Sequence, residues 1–207
     1  MAGFGYDKKS ERKIIKDAKT DKLRAEIVSK AFSLHSQGNI LEALKYYKYC
    51  VEQNINDYRI FSNYGLILKN QGKLIEAELL LKKTIQMNPN WFVAHNNMGT
   101  IQKDLGKLQE AELSFRKAIK IKTDYAEAHY NLGNVLRSFF KLQEAELSFR
   151  KAIKIKPDYA EAYYQLGEVL RNLGKFHEAR LCSEKIMSIR SWSILGSYSF
   201  NHEMKSN

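Results

Sequence analysis

Lys107–Lys122 reads KLQEAELSFRKAIKIK, and Lys141–Lys156 repeats the string without a change 34 residues later. Working outward at that period, the chain divides into five units: 24–57, 58–91, 92–125, 126–159 and 160–193. Self-similarity at a fixed period of this length is the mark of a solenoid, in which one supersecondary unit stacks on copies of itself. The columns show what that unit is. Small residues recur as Ala31, Gly65, Gly99, Gly133 and Gly167, and again as Ala43, Ala77, Ala111, Ala145 and Ala179. Large apolar residues flank them at helical spacing, as in Leu132, Leu136 and Phe149, or Leu166 and Leu170.

Gly133 precedes Ala145 by twelve residues, with a turn between them. That spacing predicts two antiparallel helices in close approach where neither carries bulk. Gly38, Gly72, Gly106 and Gly174 mark the turn, where glycine accepts a left-handed backbone. Phe140 takes that place in the fourth unit. Pro89 and Pro157 close their units, and the DYAE strings at 124–127 and 158–161 read as capping boxes for the next helix. Each unit is therefore helix, turn, helix, loop, and the predicted fold is an all-α, right-handed solenoid of stacked antiparallel hairpins.

The recurring Leu-Gly, Gly, Ala, Phe, Ala and Pro columns resemble the tetratricopeptide repeat family over about 24–193. Units three and four match best. Lys30, Ser183 and Ile186 depart from the pattern in the first and last units. The resemblance implies that the first helix of each unit lines a concave groove. On a helical wheel for 126–138, Glu127, Tyr130, Asn131, Asn134, Arg137 and Ser138 fall on that side. Two columns stand out there. Asn63, Asn97, Asn131 and Gln165 form an amide ladder suited to an extended peptide backbone. Lys69, Lys103, Arg137 and Arg171 form a basic ladder suited to acidic side chains. The asparagine column is similar to that in the repeat arm of protein O-linked N-acetylglucosamine transferase. Val28, Phe32, Ser62 and Leu66 make one end of the face more apolar, while Tyr130, Asn134, Tyr164 and Glu168 make the other polar.

The net charge is +11. Part of it sits in a basic N-terminal extension, 1–23, expected to be partly helical; the apolar end of the groove could accept a hydrophobic anchor or be covered by Ile14, Ile15 and Ala18 of this extension. More comes from Arg116, Lys117, Lys120 and Lys122 and their duplicates Arg150, Lys151, Lys154 and Lys156, read as an outer face with cations near helix C-termini. The repeat decays after Ala179, and the tail, 194–207, is read as an imperfect cap on the last hairpin, with a docking strip or the remnant of a longer chain as the alternative. Cys50 and Cys182 stand almost four units apart, which fits a reducing, cytoplasmic setting. No apolar run reaches the roughly 20 residues of a membrane span.

Chemistry is absent from the motifs. There is no GxxxxGK[ST], GxGxxG or HExxH. His95 and His129 share a packing column, and the duplicated Glu110/Glu112 and Glu144/Glu146 pairs do not face each other on a helix. No catalytic residue, metal site or cofactor is expected. The reading is a non-catalytic scaffold for a protein or peptide partner of acidic character, with neither nucleic acid nor a membrane as the main target. Two alternatives stay open: the recognition arm of a glycosyl- or sulfotransferase, and polyanion or RNA binding through the basic surface.

Overall fold

The computed structural model describes residues 8–203, with side chains over 21–189. These residues form ten helices and, among the described residues, no strand. They are α1 (Lys8–Ser36), α2 (Ile40–Glu52), α3 (Tyr58–Asn70), α4 (Leu74–Met87), α5 (Phe92–Asp104), α6 (Leu108–Ile121), α7 (Ala126–Ser138), α8 (Leu142–Ile155), α9 (Ala160–Asn172) and α10 (Phe176–Glu203). The fold is an all-α solenoid of helical hairpins. It divides into two compact units between Pro89 and Asn90.

In the first unit α1 packs on α2, α2 on α3 and α3 on α4. Its core gathers Ala31, Leu34, Ala43, Tyr47, Cys50, Ile60 and Ile67. Gly65 faces the Ala77 carbonyl, with 3.4 Å to where a Cβ would stand. The apolar Val28 and Phe32 pack against this core rather than standing free, and Ser62 is buried. Cys50 is fully buried, and burial pushes its thiol pKa up. It serves as a small packed residue of this core.

In the second unit the hairpins α5–α6, α7–α8 and α9–α10 stack through α6 on α7 and α8 on α9, with α5 beside α7 and α7 beside α9. The core runs through Phe115, Leu132, Leu136, Phe149, Leu166 and Leu170. The small-residue column has a sharper purpose here than close helix approach. A Cβ on Gly99 would stand 2.7 Å from the Phe115 ring, and one on Gly133 would stand 2.7 Å from the Phe149 ring. Both rings are fully buried, each contributing about 1.5–3 kcal/mol by burial.

The turn glycines Gly38, Gly72, Gly106 and Gly174 have φ of 74–78°. Phe140 adopts the same left-handed turn at φ 58° and is 87% exposed. The capping boxes are not formed. α7 and α9 start at Ala126 and Ala160, after Tyr125 and Tyr159, with no side-chain cap bond. Aromatic packing occupies these starts instead: Tyr125 lies edge-on to Phe92 at 4.8 Å, and Tyr159 lies 5.0 Å from Tyr130. A side-chain cap does open α3, where Asp57 accepts from Arg59 N at 2.9 Å.

Ion pairs tie the second helices of this unit together. Glu146 accepts from Arg150 Nη2 at 2.9 Å and Lys175 Nζ at 2.8 Å, and Arg150 also reaches Glu178. One repeat earlier, Arg116 joins Glu112 at 2.8 Å and Glu144 at 3.2 Å. Burial alone would raise the Glu146 pKa, but the Lys175 and Arg150 hydrogen bonds outweigh it and hold the carboxyl below its ordinary value.

At the chain ends the helices continue past the sequence boundaries. α1 runs unbroken through residue 23, and α10 runs through residue 193. The side chains of Ile14, Ile15 and Ala18, and those of the 194–207 tail, lie outside the described residues.

Candidate functional site

In the second unit, α5, α7 and α9 lie side by side. Their common period brings Asn97, Asn131 and Gln165 into register, with Lys103, Arg137 and Arg171 about two turns further along each helix. All three amide residues are partly exposed. They are not equivalent. Asn131 Nδ2 donates to Oδ1 of the buried Asn96 at 3.0 Å, so this amide fastens α7 to α5. Asn97 Nδ2 and Gln165 Oε1 are shielded from solvent and have no hydrogen-bond partner. An unmet buried donor or acceptor costs about 1–3 kcal/mol.

The cations differ in the same way. Arg171 pairs with Glu168 one turn back. Lys103 lies 3.9 Å from Asp104. Arg137 is partly exposed and has no ionic or hydrogen-bonded side-chain partner among the described residues. Tyr164 stands open beside them, whereas Tyr130 turns in against Phe149 and Tyr159.

The first unit carries Asn63 and Lys69 on α3. Asn63 Nδ2 donates to the Tyr47 hydroxyl at 3.2 Å, and His35 Nδ1 lies 2.9 Å from the same oxygen. With Asn63 donating, the hydroxyl proton is free to go to His35. Tyr47 is fully buried, so here the ladder amide satisfies a core phenol. The sequence columns did not reveal that role, because Tyr47 has no counterpart tyrosine one period on. A separate cleft in this unit, between α1 and the α2–α3 loop, is lined by Val28, Phe32 and Ile55 with Arg24 and Arg59 at its edge. The Arg59 guanidinium sits 4.9 Å over the Phe32 ring.

The histidines among the described residues do not assemble a metal site. His129 is buried, with Nε2 2.9 Å from the Thr123 carbonyl, and burial lowers its pKa. Among the described residues no cluster of three His, Cys, Asp or Glu side chains is placed to hold a metal. No described helix is long and apolar enough to cross a membrane.

The fold and columns define a solenoid of helical hairpins with a polar, basic first-helix face. A TPR repeat model matches residues 99–137 and 141–174, and a tetratricopeptide repeat model matches 160–191. Tetratricopeptide repeats are thus recognised from residue 99 to residue 191, and the hairpin solenoid is the fold of that repeat. Solved structures share the fold. MamA is 24% identical with a TM-score of 0.70, covering 79% of this chain and 96% of its own. The Pseudomonas aeruginosa protein PilF is 15% identical with a TM-score of 0.72, covering 81% and 77%. YrrB, described as a TPR protein with an unusual peptide-binding site, is 19% identical with a TM-score of 0.65, covering 84% and 90%. No curated protein sequence matches the chain.

Proposed function

We propose that the chain is a non-catalytic scaffold whose α5, α7 and α9 hold an extended, acidic segment of a partner protein. The observation that carries this reading is Arg137. It is a partly exposed cation without an ionic partner, on the helix between two that present amides in the same register. A carboxylate on the partner would supply the missing charge. Asn97 has an unmet donor that would reach a peptide carbonyl after a side-chain rotation. Lys103 is held only loosely by Asp104, and the Arg171–Glu168 pair would open or reorient to admit the ligand. YrrB supports the reading by example, as a tetratricopeptide repeat protein with a peptide-binding site.

A photo-crosslinking residue in place of Asn134 tests it in lysate of the native cell. The expected product is a partner joined through a segment rich in Asp and Glu, with capture lost in Arg137→Glu. Equal capture by both forms, or joining through a basic segment, overturns the reading.

A further inference from the structure

The outer side of the second unit holds a different concavity. Between α6 and α8 runs a groove of about 600 Å³, with Ile119, Leu132 and Leu147 in its lining. Lys120, Lys151 and Lys154 stand along it, all exposed, and none has an ionic or hydrogen-bonded partner among the described residues. Leu147, Lys151 and Lys154 follow i, i+4, i+7 spacing, which sets them on one face of α8. Leu147 is 67% exposed, and Leu113, one period earlier on α6, is 68% exposed. The arginines at the rim differ from these lysines. Arg116 and Arg150 already hold glutamates in the ladder between helices.

We propose that this groove docks an acidic amphipathic helix of a partner protein, apolar stripe on the leucines and carboxylates on the three lysines. The unneutralised lysines favour an anion, and the apolar lining favours hydrocarbon beside it. The groove offers an extended backbone donors from its lysines but little to accept the peptide N–H groups. It contains no side-chain amide; Ser148 Oγ is bound to the Glu144 carbonyl and His129 to the Thr123 carbonyl. A ligand that satisfies its own backbone, a helix, suits such a surface. No Phe, Tyr or Trp lines it to stack a base, which disfavours single-stranded RNA. A flat lipid surface does not follow a groove down to Leu132, which is buried. The two walls are 14-residue helices, giving a trough of about 21 Å for some four turns of ligand. The adjoining groove between α8 and α10 has Lys154 as its single unpaired lysine, its Arg150 and Glu178 being paired with each other, so the α6–α8 groove with three such lysines is the better match to an acidic ligand.

The test uses the full chain and a fluorescein-labelled designed peptide of about 15 residues, with leucines at three- and four-residue spacing and glutamates flanking them. Anisotropy is expected to show micromolar binding that weakens with salt, and a scrambled peptide of the same composition to bind at least about tenfold more weakly. Leu147→Glu and Lys120→Glu/Lys154→Glu are each expected to lose about tenfold or more, with circular dichroism confirming the fold. Lys73→Glu, an exposed position in the first unit, is expected to bind the peptide like the parent. Equal binding of the scrambled peptide, or insensitivity to Leu147→Glu, overturns the proposal. So does binding of phosphatidylglycerol vesicles or polyuridine, in place of the peptide, with the same dependence on the lysines.

Discussion

The Phe149 ring occupies the space that a Cβ on Gly133 would need, 2.7 Å from that position. The same column at Gly167 is looser, its nearest neighbours being Cys182 Cβ at 3.6 Å and the Ala179 carbonyl at 3.7 Å. Alanine therefore has opposite consequences at the two positions. Gly133→Ala gains helix propensity of about 1 kcal/mol but forces a fully buried ring to move, for a net loss of about 1–2 kcal/mol. Gly167→Ala keeps the propensity gain and is expected to stabilise by about 0.5–1 kcal/mol. Chemical denaturation of the two variants checks the sign. Equal destabilisation would mean that the column enforces helix approach generally rather than making room for particular rings.

Phe140 offers a test of backbone strain. It has φ 58° in a turn where glycine serves elsewhere, and its ring is almost wholly exposed. Little burial is lost on removing it. Phe140→Gly is expected to stabilise by about 0.5–1 kcal/mol, the left-handed strain relieved less the extra freedom of the unfolded chain. Phe140→Ala keeps the Cβ and should gain much less. A thermal midpoint for the alanine variant as high as that for the glycine variant would locate the effect in the exposed ring instead.

The Glu146 carboxyl carries a pH prediction. Its folded pKa is depressed, so its contribution is complete above the unfolded carboxylate value near 4.5 and is lost as pH falls through the lower folded value. Glu146→Gln removes that titration. At neutral pH the variant is expected to be less stable by about 0.5–1.5 kcal/mol, the hydrogen-bonding geometry being kept but the charge lost. Stability curves of parent and variant should converge as pH drops below about 4.5. A constant gap down to strongly acidic pH would show that the ladder acts by packing alone.

The helices were legible from the columns because burial and helix period impose the same residues every 34 positions. What depends on one unit's particular neighbours was not. The strings at 107–122 and 141–156 are identical, yet Glu146 is buried beneath Arg150 and Lys175 while Glu112 is only partly so. The DYAE strings carried the letters of a cap, but aromatic contacts of Tyr125 and Tyr159 accompany the helix starts instead. Asn97 and Asn131 look alike in sequence. Only the adjacent Asn96, which has no asparagine counterpart one period on, separates their roles.

That difference gives the last prediction. Asn131→Ala strands Oδ1 of the buried Asn96 and is expected to cost about 1–3 kcal/mol of stability. Asn97→Ala removes a buried donor that has no partner, so it should be neutral or slightly stabilising. Asn97→Ala is therefore the clean probe of the proposed peptide face, and Asn131→Ala must be judged against its folded fraction. Once an acidic partner segment is in hand, Asn97→Ala should weaken it to a similar degree across a salt series, because a neutral hydrogen bond is not screened. Lys103→Ala/Arg137→Ala should instead slow association most at low salt and converge on the parent as salt rises. Association and dissociation rates measured by surface plasmon resonance separate the two behaviours. If both variants bind like the parent at every salt concentration, the α5–α7–α9 face is not the binding surface.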